Sequence, residues 1–192
     1  MNWNDISGWF TETDARFAAR LCRRVRPGVV VEIGVFRGRA TAIMAPLCRS
    51  AGCEYHVVDN FRGGADSKDP ATVAQRSGRV LTDFRRNMKS LSLWDYITVH
   101  KSDSRAATAI FANESVEMCF IDADHTFEGV TGDMKAWWPK IKPGGVMAGH
   151  DYTSRVVRRA VNEFAASVGL PVENDVARRP SRRHTCWAIR KV

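Results

Sequence analysis

The sequence feature that most constrains the fold is a regular alternation of short, mainly apolar runs with amphipathic stretches. Five of these runs have the length of a buried strand, and they span 29–33, 55–59, 97–100, 116–122 and 145–149. Such runs are typical of parallel strands that are covered on both faces. Because parallel neighbours need crossover connections, the alternation predicts a doubly wound, Rossmann-like α/β fold with a mostly parallel sheet.

The stretches between the runs carry apolar residues at helical spacing. Asp69 and Pro70 form a helix-start signal, in which an acidic cap precedes a proline. The positions that follow the helical period are Val73, Val80, Leu81, Phe84, Met88 and Leu91, then Phe127, Val130, Met134, Trp137 and Trp138, then Val157, Val161, Phe164 and Val168. Phe17, Leu21 and Val25 predict a leading helical segment within residues 1–26. We therefore expect a single domain over residues 1–192.

The C-terminal part of the sequence departs from this alternation. Residues 171–173 and 186–189 are two strand-like runs with no helical pattern between them. Two strands joined without a crossover helix pair in an antiparallel way. We expect an antiparallel hairpin at the edge of the sheet, with the arginine-rich residues 178–183 in its loop.

Composition narrows the class of protein. The five cysteines are scattered and none forms a CxxC pair, so neither a disulfide framework nor a zinc site is predicted. The N-terminus lacks the features of a signal peptide, and no apolar run approaches the ~18–20 residues of a membrane span. We expect a cytoplasmic protein without a membrane span. The net charge of +8 raises the alternative of a nucleic-acid partner, but the basic residues are mostly dispersed and predict a solvated surface.

Polar residues follow every predicted strand at its carboxyl end, which is where open α/β sheets bind ligands. Gly34 and Gly38 permit a tight turn close to a ligand, although their spacing differs from the GxGxxG of dinucleotide enzymes. Asp59 is placed either to bind ribose hydroxyls or to cap its own loop. The run 102–104 is placed either to cap the next helix or to contact an adenine. The remaining polar ends are 122–125 and 150–152.

The motifs at these positions resemble a known family. They are the runs VEIGVFRG at 31–38, VVD at 57–59, FIDADHTF at 120–127, WPKIKPGGV at 138–146 and GHDY at 149–152. The chain resembles class I S-adenosylmethionine-dependent methyltransferases, and more closely the small-molecule O-methyltransferases of methyltransferase family 24. The likeness extends over about residues 27–165.

The resemblance implies a binding site for S-adenosylmethionine. It places Glu32 and Gly34 against the methionine part of the cofactor, Asp59 on the ribose, and Ser102 and Asp103 at the adenine. The full set of cofactor-binding residues that it implies is Glu32, Gly34, Phe36, Gly38, Asp59, Ser102, Asp103 and Asp122.

Two ways to activate a hydroxyl acceptor are open, one implied by the resemblance and one by the chemistry of the histidines, and a third alternative is that His150 only packs at its strand end. In related catechol-type enzymes, acids at the ends of strands four and five bind Mg²⁺, and Asp122 and Asp151 match two of these positions. Tyr152 stands at the third and is a poor ligand for a hard cation, which leaves Asp124 or His150 as substitutes. Alternatively, His150 or His125 acts as a general base beside Asp122.

We therefore predict an S-adenosylmethionine-dependent transfer of a methyl group to a hydroxyl of a small polar molecule. The first alternative is a nucleic-acid methyltransferase, although no Asn-Pro-Pro-Tyr-like segment is present. The second is a cofactor-binding protein without catalysis. We expect no specific nucleic-acid partner, and the sequence leaves homo-oligomer formation open. Trp3 and Trp9 either close the acceptor pocket or anchor the first helix.

Overall fold

A computed structural model describes residues 1–62, 78–174 and 185–192. Its strands form one seven-stranded sheet in the order β3-β2-β1-β4-β5-β7-β6. Strands β1 to β5 pair in parallel, whereas β7 pairs antiparallel with β5 and β6. The strands are β1 (Val29–Ile33), β2 (Glu54–Asp59), β3 (Ile97–Lys101), β4 (Val116–Ile121), β5 (Ile141–Gly149), β6 (Glu173–Asn174) and β7 (Trp187–Arg190). The predicted doubly wound sheet with an antiparallel C-terminal hairpin is confirmed.

The helices of the described residues are α1 (Glu12–Cys22), α2 (Thr41–Ser50), α3 (Arg79–Ser90), α4 (Phe127–Trp137) and α5 (Arg155–Ser167). Short 3-10 turns lie at Trp3–Asp5, Ala106–Ile110 and Trp138–Lys140. The leading helix ends at Cys22, before Val25. The helix-start signal at residues 69–70 and the arginine-rich loop at 178–183 lie outside the described residues. None of the helices in 1–62, 78–174 and 185–192 combines the length and apolar character of a membrane span.

The two faces of the sheet bury separate hydrophobic clusters. One cluster contains Phe17 of α1, Met44 of α2 and Phe84 of α3. The other contains Met134 of α4 and Val161 of α5. Successive strand residues alternate between the clusters, as the period of two along a strand requires. Covering both faces in this way explains why the central strands are mainly apolar.

Strand β5 starts four residues before the predicted run, at Ile141 instead of Gly145. Pro143 and Gly144 break the pairing register with β4 but do not end the strand. Gly144 has a φ of +80°, which glycine adopts at little steric cost. Prolines within sheets are confined to bulges and edges. The Pro-Gly pair therefore marks an irregularity inside β5. The sequence pattern alone predicts the start of the strand at this pair.

The order of the strands reverses between β1 and β4, since the chain first adds β2 and β3 on one side and then crosses over. The crevice at such a switch point is where open α/β sheets bind ligands. The loops after β1 and β4 meet there: Asp122 donates its backbone N–H to the carbonyl of Ile33 at 2.7 Å.

Candidate functional site

A cavity of about 480 Å³ lies at the carboxyl ends of β1 to β4, beside the switch point. Six of the predicted cofactor-binding residues line it: Gly34, Phe36, Asp59, Ser102, Asp103 and Asp122. Among the described residues, Glu32 and Gly38 do not line it. Its further polar lining comes from Asn60, Arg62, Ser104, Arg105, Asp124 and Asp133. The lining thus includes residues that the rule of ligand binding at the carboxyl ends of strands selected from the sequence.

Gly34 is required by the close approach of two strand ends. It has a φ of +80°, and a Cβ there would lie 2.1 Å from the carbonyl oxygen of Asp122. Gly38, at φ +87°, is required by packing, because a Cβ there would lie 2.6 Å from Cε of Met88 on α3. The glycine signal in the sequence therefore has two different causes. A role of Gly38 in cofactor binding stays a prediction.

The carboxylate of Asp59 organises the loop after β1. Its Oδ2 accepts the backbone N–H of Val35 at 2.8 Å and of Phe36 at 3.1 Å, and its Oδ1 accepts that of Phe61 at 2.6 Å. Burial raises the pKa of Asp59, and these hydrogen bonds offset part of the rise. A carboxylate offers about four acceptor positions, and three of them are used. One position on Oδ1 is left for a ligand in the cavity.

The run after β3 caps the turn that follows it. Asp103 Oδ1 accepts the backbone N–H groups of Arg105 and Ala106 at 3.0 and 3.2 Å. Trp137 donates its indole N–H to the carbonyl oxygen of Ser104 at 3.2 Å. Of the two alternatives for this run, capping is therefore observed. Ser102 and Asp103 nevertheless line the cavity, and their contact with adenine stays a prediction.

Glu32 does not line the cavity and lies in the core, beside Tyr55 of β2 and Thr41 of α2. Its side chain is fully buried, and Tyr55 donates its hydroxyl to Oε2 at 2.8 Å. Burial raises the pKa of Glu32 to about 8, so the carboxyl group is mostly neutral at pH 7. Its predicted contact with the methionine part of the cofactor stays a prediction. The motif identified a buried acid, but sequence spacing does not show what its side chain faces.

Two aspartates and two histidines meet at the carboxyl ends of β4 and β5. His125 Nε2 lies 2.8 Å from Asp151 Oδ2 and 3.7 Å from Asp122 Oδ1. His150 Nδ1 lies 3.2 Å from the same oxygen of Asp151 and 3.5 Å from that of Asp122. The structure therefore brings together Asp122, His125, His150 and Asp151, with imidazole nitrogens in contact with both carboxylates. Asp124, the other candidate metal ligand, instead accepts the backbone N–H of Thr126 at 2.9 Å.

The two histidines differ in burial. The side chain of His150 is 2 % exposed, whereas that of His125 is 51 % exposed. Hydrogen bonds to Asp122 and Asp151 raise the pKa of His125 to about 10. Burial lowers the pKa of His150, but the charge of Asp122 and hydrogen bonds to three carboxylates raise it well above its usual value. Of the two predicted bases, only His125 is accessible to an acceptor from solvent.

The fit of a magnesium ion depends on the same cluster. Ligand atoms of Asp122, His125 and Asp151 lie within 4.8 Å of one another. However, Mg²⁺ prefers oxygen ligands in an octahedral arrangement, and this set includes an imidazole nitrogen. Tyr152, at the third ligand position of the related enzymes, is buried and donates its hydroxyl to Asn162 at 2.6 Å. The donor set does not match magnesium, and we derive no step through a metal.

The N-terminal segment closes the cluster from one side. Trp9 lies against Phe36, with ring centroids 5.3 Å apart, and is 44 % exposed. Phe10 packs on the ring of His150 at 5.0 Å. Asp14 Oδ2 lies 3.2 Å from His150 Nε2. Sequence reasoning missed Asp14, because its place three residues after Thr11 is already explained by helix capping.

Comparison with known proteins adds a family match and several structural neighbours. Residues 31–152, more than half of the chain, match the model of methyltransferase family 24, described as a methyltransferase domain. The O-methyltransferase NovP is 21% identical, with 93% of this chain and 79% of that chain covered and a TM-score of 0.70. A SAM-dependent O-methyltransferase from Thermotoga maritima is 14% identical, with 98% and 68% covered and a TM-score of 0.69. An O-methyltransferase from Bacillus cereus, in complex with SAH, is 15% identical, with 98% and 86% covered and a TM-score of 0.66. At these identities the neighbours show the fold alone.

Proposed function

The chain belongs to methyltransferase family 24, and on that premise we propose that it transfers a methyl group from S-adenosylmethionine to a hydroxyl of a small polar molecule, such as a sugar or a natural-product intermediate. The observation that carries the proposal is the cavity of about 480 Å³ at the switch point, which polar groups from four strand ends line. Its volume falls in the range of ~300–1,000 Å³ that is usual for small-molecule sites.

The cavity offers a suitable group for each part of the cofactor. The remaining acceptor position of Asp59 suits one ribose hydroxyl, and Ser102 and Asp103 suit the adenine. The backbone of Gly34 suits the methionine part, because no side chain of its own covers it. The negative charge of the Asp122 carboxylate attracts the positively charged sulfonium of the cofactor. When bound, the cofactor would supply an electrophilic methyl group to the acceptor oxygen and be left as S-adenosylhomocysteine. The acceptor loses its hydroxyl proton in return.

We assign to His125 the role of general base, which accepts the proton of the acceptor hydroxyl. His125 is the exposed member of the cluster at the end of β4 and β5, and Asp151 and Asp122 hold its ring in place. Methyl transfer otherwise requires alignment of the acceptor oxygen with the methyl carbon. The half-exposed Trp9, in contact with Phe36 of the cavity wall, gives an acceptor ring an apolar surface to pack on.

The pKa of His125 decides when it accepts a proton. With a pKa of about 10, the ring is protonated at neutral pH in the free protein, and only its neutral form is a base. A positive charge bound beside Asp122 lowers this pKa, because it competes for the same carboxylate charge. Binding of the cationic cofactor therefore favours the neutral form of His125 that the reaction needs.

Ligand binding is tested first. S-adenosylhomocysteine at ~100 times its Kd stabilises the native state by ~2.7 kcal/mol, which raises the melting temperature of a chain of this size by about 5–10 °C. We expect Asp59→Asn to lose most of this shift and the exposed Asp95→Asn to keep it. Circular dichroism of both variants without ligand shows whether they fold. A full shift in a folded Asp59→Asn protein would contradict the ribose assignment.

Turnover is tested next, with a panel of sugars and hydroxylated aromatic compounds as acceptors. We expect formation of S-adenosylhomocysteine and of an O-methylated product, both detected by mass spectrometry. Binding of S-adenosylhomocysteine without turnover of any acceptor would favour the cofactor-binding protein without catalysis. Salt-resistant binding of one RNA or DNA sequence would instead favour a nucleic-acid substrate.

A further inference from the structure

The burial of Asp14 is more than helix capping requires. Asp14 is the third residue of α1, and its Oδ2 accepts the backbone N–H of Thr11 at 2.8 Å and the Thr11 hydroxyl at 2.6 Å. Such capping boxes form readily at the protein surface. Asp14 is instead 0 % exposed, and a buried carboxylate is unfavourable unless a partner compensates its charge. The position of the residue therefore needs a second explanation.

That explanation is the contact of Asp14 with His150. The same oxygen that accepts from Thr11 lies 3.2 Å from His150 Nε2. The opposite nitrogen of the ring, Nδ1, lies 3.2 Å from Asp151 Oδ2. Carboxylates only accept hydrogen bonds, so each nitrogen of this buried ring faces an acceptor. The ring therefore lies between two carboxylates, within ion-pair distance of each, and Phe10 packs on it at 5.0 Å.

The contacts continue from His150 to the exposed histidine. Asp151 Oδ2 also lies 2.8 Å from His125 Nε2. Asp151 adopts a left-handed backbone with a φ of +60°, which is uncommon outside glycine and persists where the surroundings fix it. Asp14, His150, Asp151 and His125 thus form one continuous series of contacts that starts at helix α1 and ends beside Asp122 of the cavity lining.

We propose that Asp14 is a positioning residue for methyl transfer: it fixes the orientation of His150, which through Asp151 orients His125 toward the acceptor hydroxyl. The inference rests on the proposed function and adds a residue of α1, outside the family match at 31–152. A carboxylate that contacts one nitrogen of an imidazole commonly fixes the orientation of the ring and the position of its proton.

The test separates positioning from helix capping by means of two variants. Asp14→Ala removes the carboxylate, and with it both hydrogen bonds from Thr11 and the contact with His150. Thr11→Ala removes the hydroxyl of the capping box but keeps the Asp14 carboxylate beside His150. We expect both to lower the melting temperature. The ¹⁵N signals of the His125 and His150 rings, measured without any acceptor, should move in Asp14→Ala and stay in place in Thr11→Ala. Once an acceptor is known, kcat should fall about tenfold or more in Asp14→Ala, a part of the ~10²–10⁴ that a general base contributes, with KM for the cofactor within about twofold.

Unchanged histidine signals in a folded Asp14→Ala protein, or equal losses of kcat in the two variants, would overturn the proposal. If Asp14→Ala does not fold, Asp14→Asn keeps the volume and an acceptor oxygen but removes the charge, and the same comparison with Thr11→Ala applies to it. Absence of cofactor binding by the wild-type protein would contradict the proposed function, while the histidine signals would still decide the contact between Asp14 and His150.

Discussion

Replacement of Glu32 by glutamine should stabilise the protein by an amount that grows with pH. The carboxyl group is fully buried, accepts a hydrogen bond from Tyr55, and has a pKa raised to about 8 from 4.5 by burial. The folded state therefore binds this proton more tightly than the unfolded state. Glutamine has the shape of the protonated acid, can accept from Tyr55, and has no proton to lose.

The size of the effect follows from linkage between proton binding and folding. Between about pH 4.5 and 8, Glu32 is ionised in the unfolded chain and protonated in the folded one. The free energy of unfolding of the wild type thus falls by about 1.4 kcal/mol per pH unit through this group. The difference between Glu32→Gln and wild type should widen by about 2 kcal/mol from about pH 6 to about pH 7.5.

Urea unfolding of both proteins at several pH values measures this difference directly, because the other titrating groups cancel in the comparison. Tyr55→Phe is the matched control: it removes the hydrogen bond to Glu32 but keeps the carboxyl group, so its pH dependence should stay at least as steep as that of wild type. A stability difference between Glu32→Gln and wild type that does not change with pH would refute the reasoning. It would mean that the carboxyl group ionises as easily inside the protein as in the unfolded chain.

Four further predictions concern activity and partners. His125→Gln should reduce kcat by ~10² or more while binding of S-adenosylhomocysteine, measured by calorimetry, is kept; an unchanged kcat would remove His125 as the base. Turnover should rise with pH and level off below the pKa of about 10 that His125 has in the free protein, because the bound cofactor lowers this pKa; a rate that falls as pH rises from neutrality would contradict a neutral imidazole base. Turnover should survive EDTA, and a loss that Mg²⁺ restores would assign Asp122 and Asp151 to a metal. Nucleic-acid binding should be weak in gel-shift assays and disappear at moderate salt, and a sequence-specific complex at physiological ionic strength would oppose a small-molecule acceptor.

The fold was predictable because its signals are local. A strand buried on both faces is mainly apolar, and β1, in which Glu32 is the one polar residue, was located to the residue, at Val29–Ile33. Helix α4 begins at Phe127, where its helical period also begins. The start of β5 was missed because Pro143 and Gly144 have the same local preferences in a bulge as in a turn. Only the pairing partner β4 decides between the two.

The site was predictable in its location but not in its inner contacts. The topology of a parallel sheet places every strand end at one edge, so Asp59 and Asp122 could be assigned to one cavity from sequence. The environment of Glu32 depends on what packs above it. The contact of Asp14 with His150 joins residues that are far apart in sequence. Taken alone, Asp14 is explained by helix capping and His150 by its place at a strand end. No periodicity encodes such a contact.

The pair of histidines shows how the fold gives different roles to identical side chains. His150 follows the last residue of β5 and is buried beside Asp14 of α1. His125 lies in the loop between β4 and α4, in contact with Asp122 of the cavity lining. Both contact the same oxygen of Asp151. A buried ring held between carboxylates changes its orientation only together with them, while a half-exposed ring can exchange a proton with a bound molecule. His150 is therefore suited to fixing Asp151, and His125 to meeting the acceptor, even though the sequence offers both as equivalent bases.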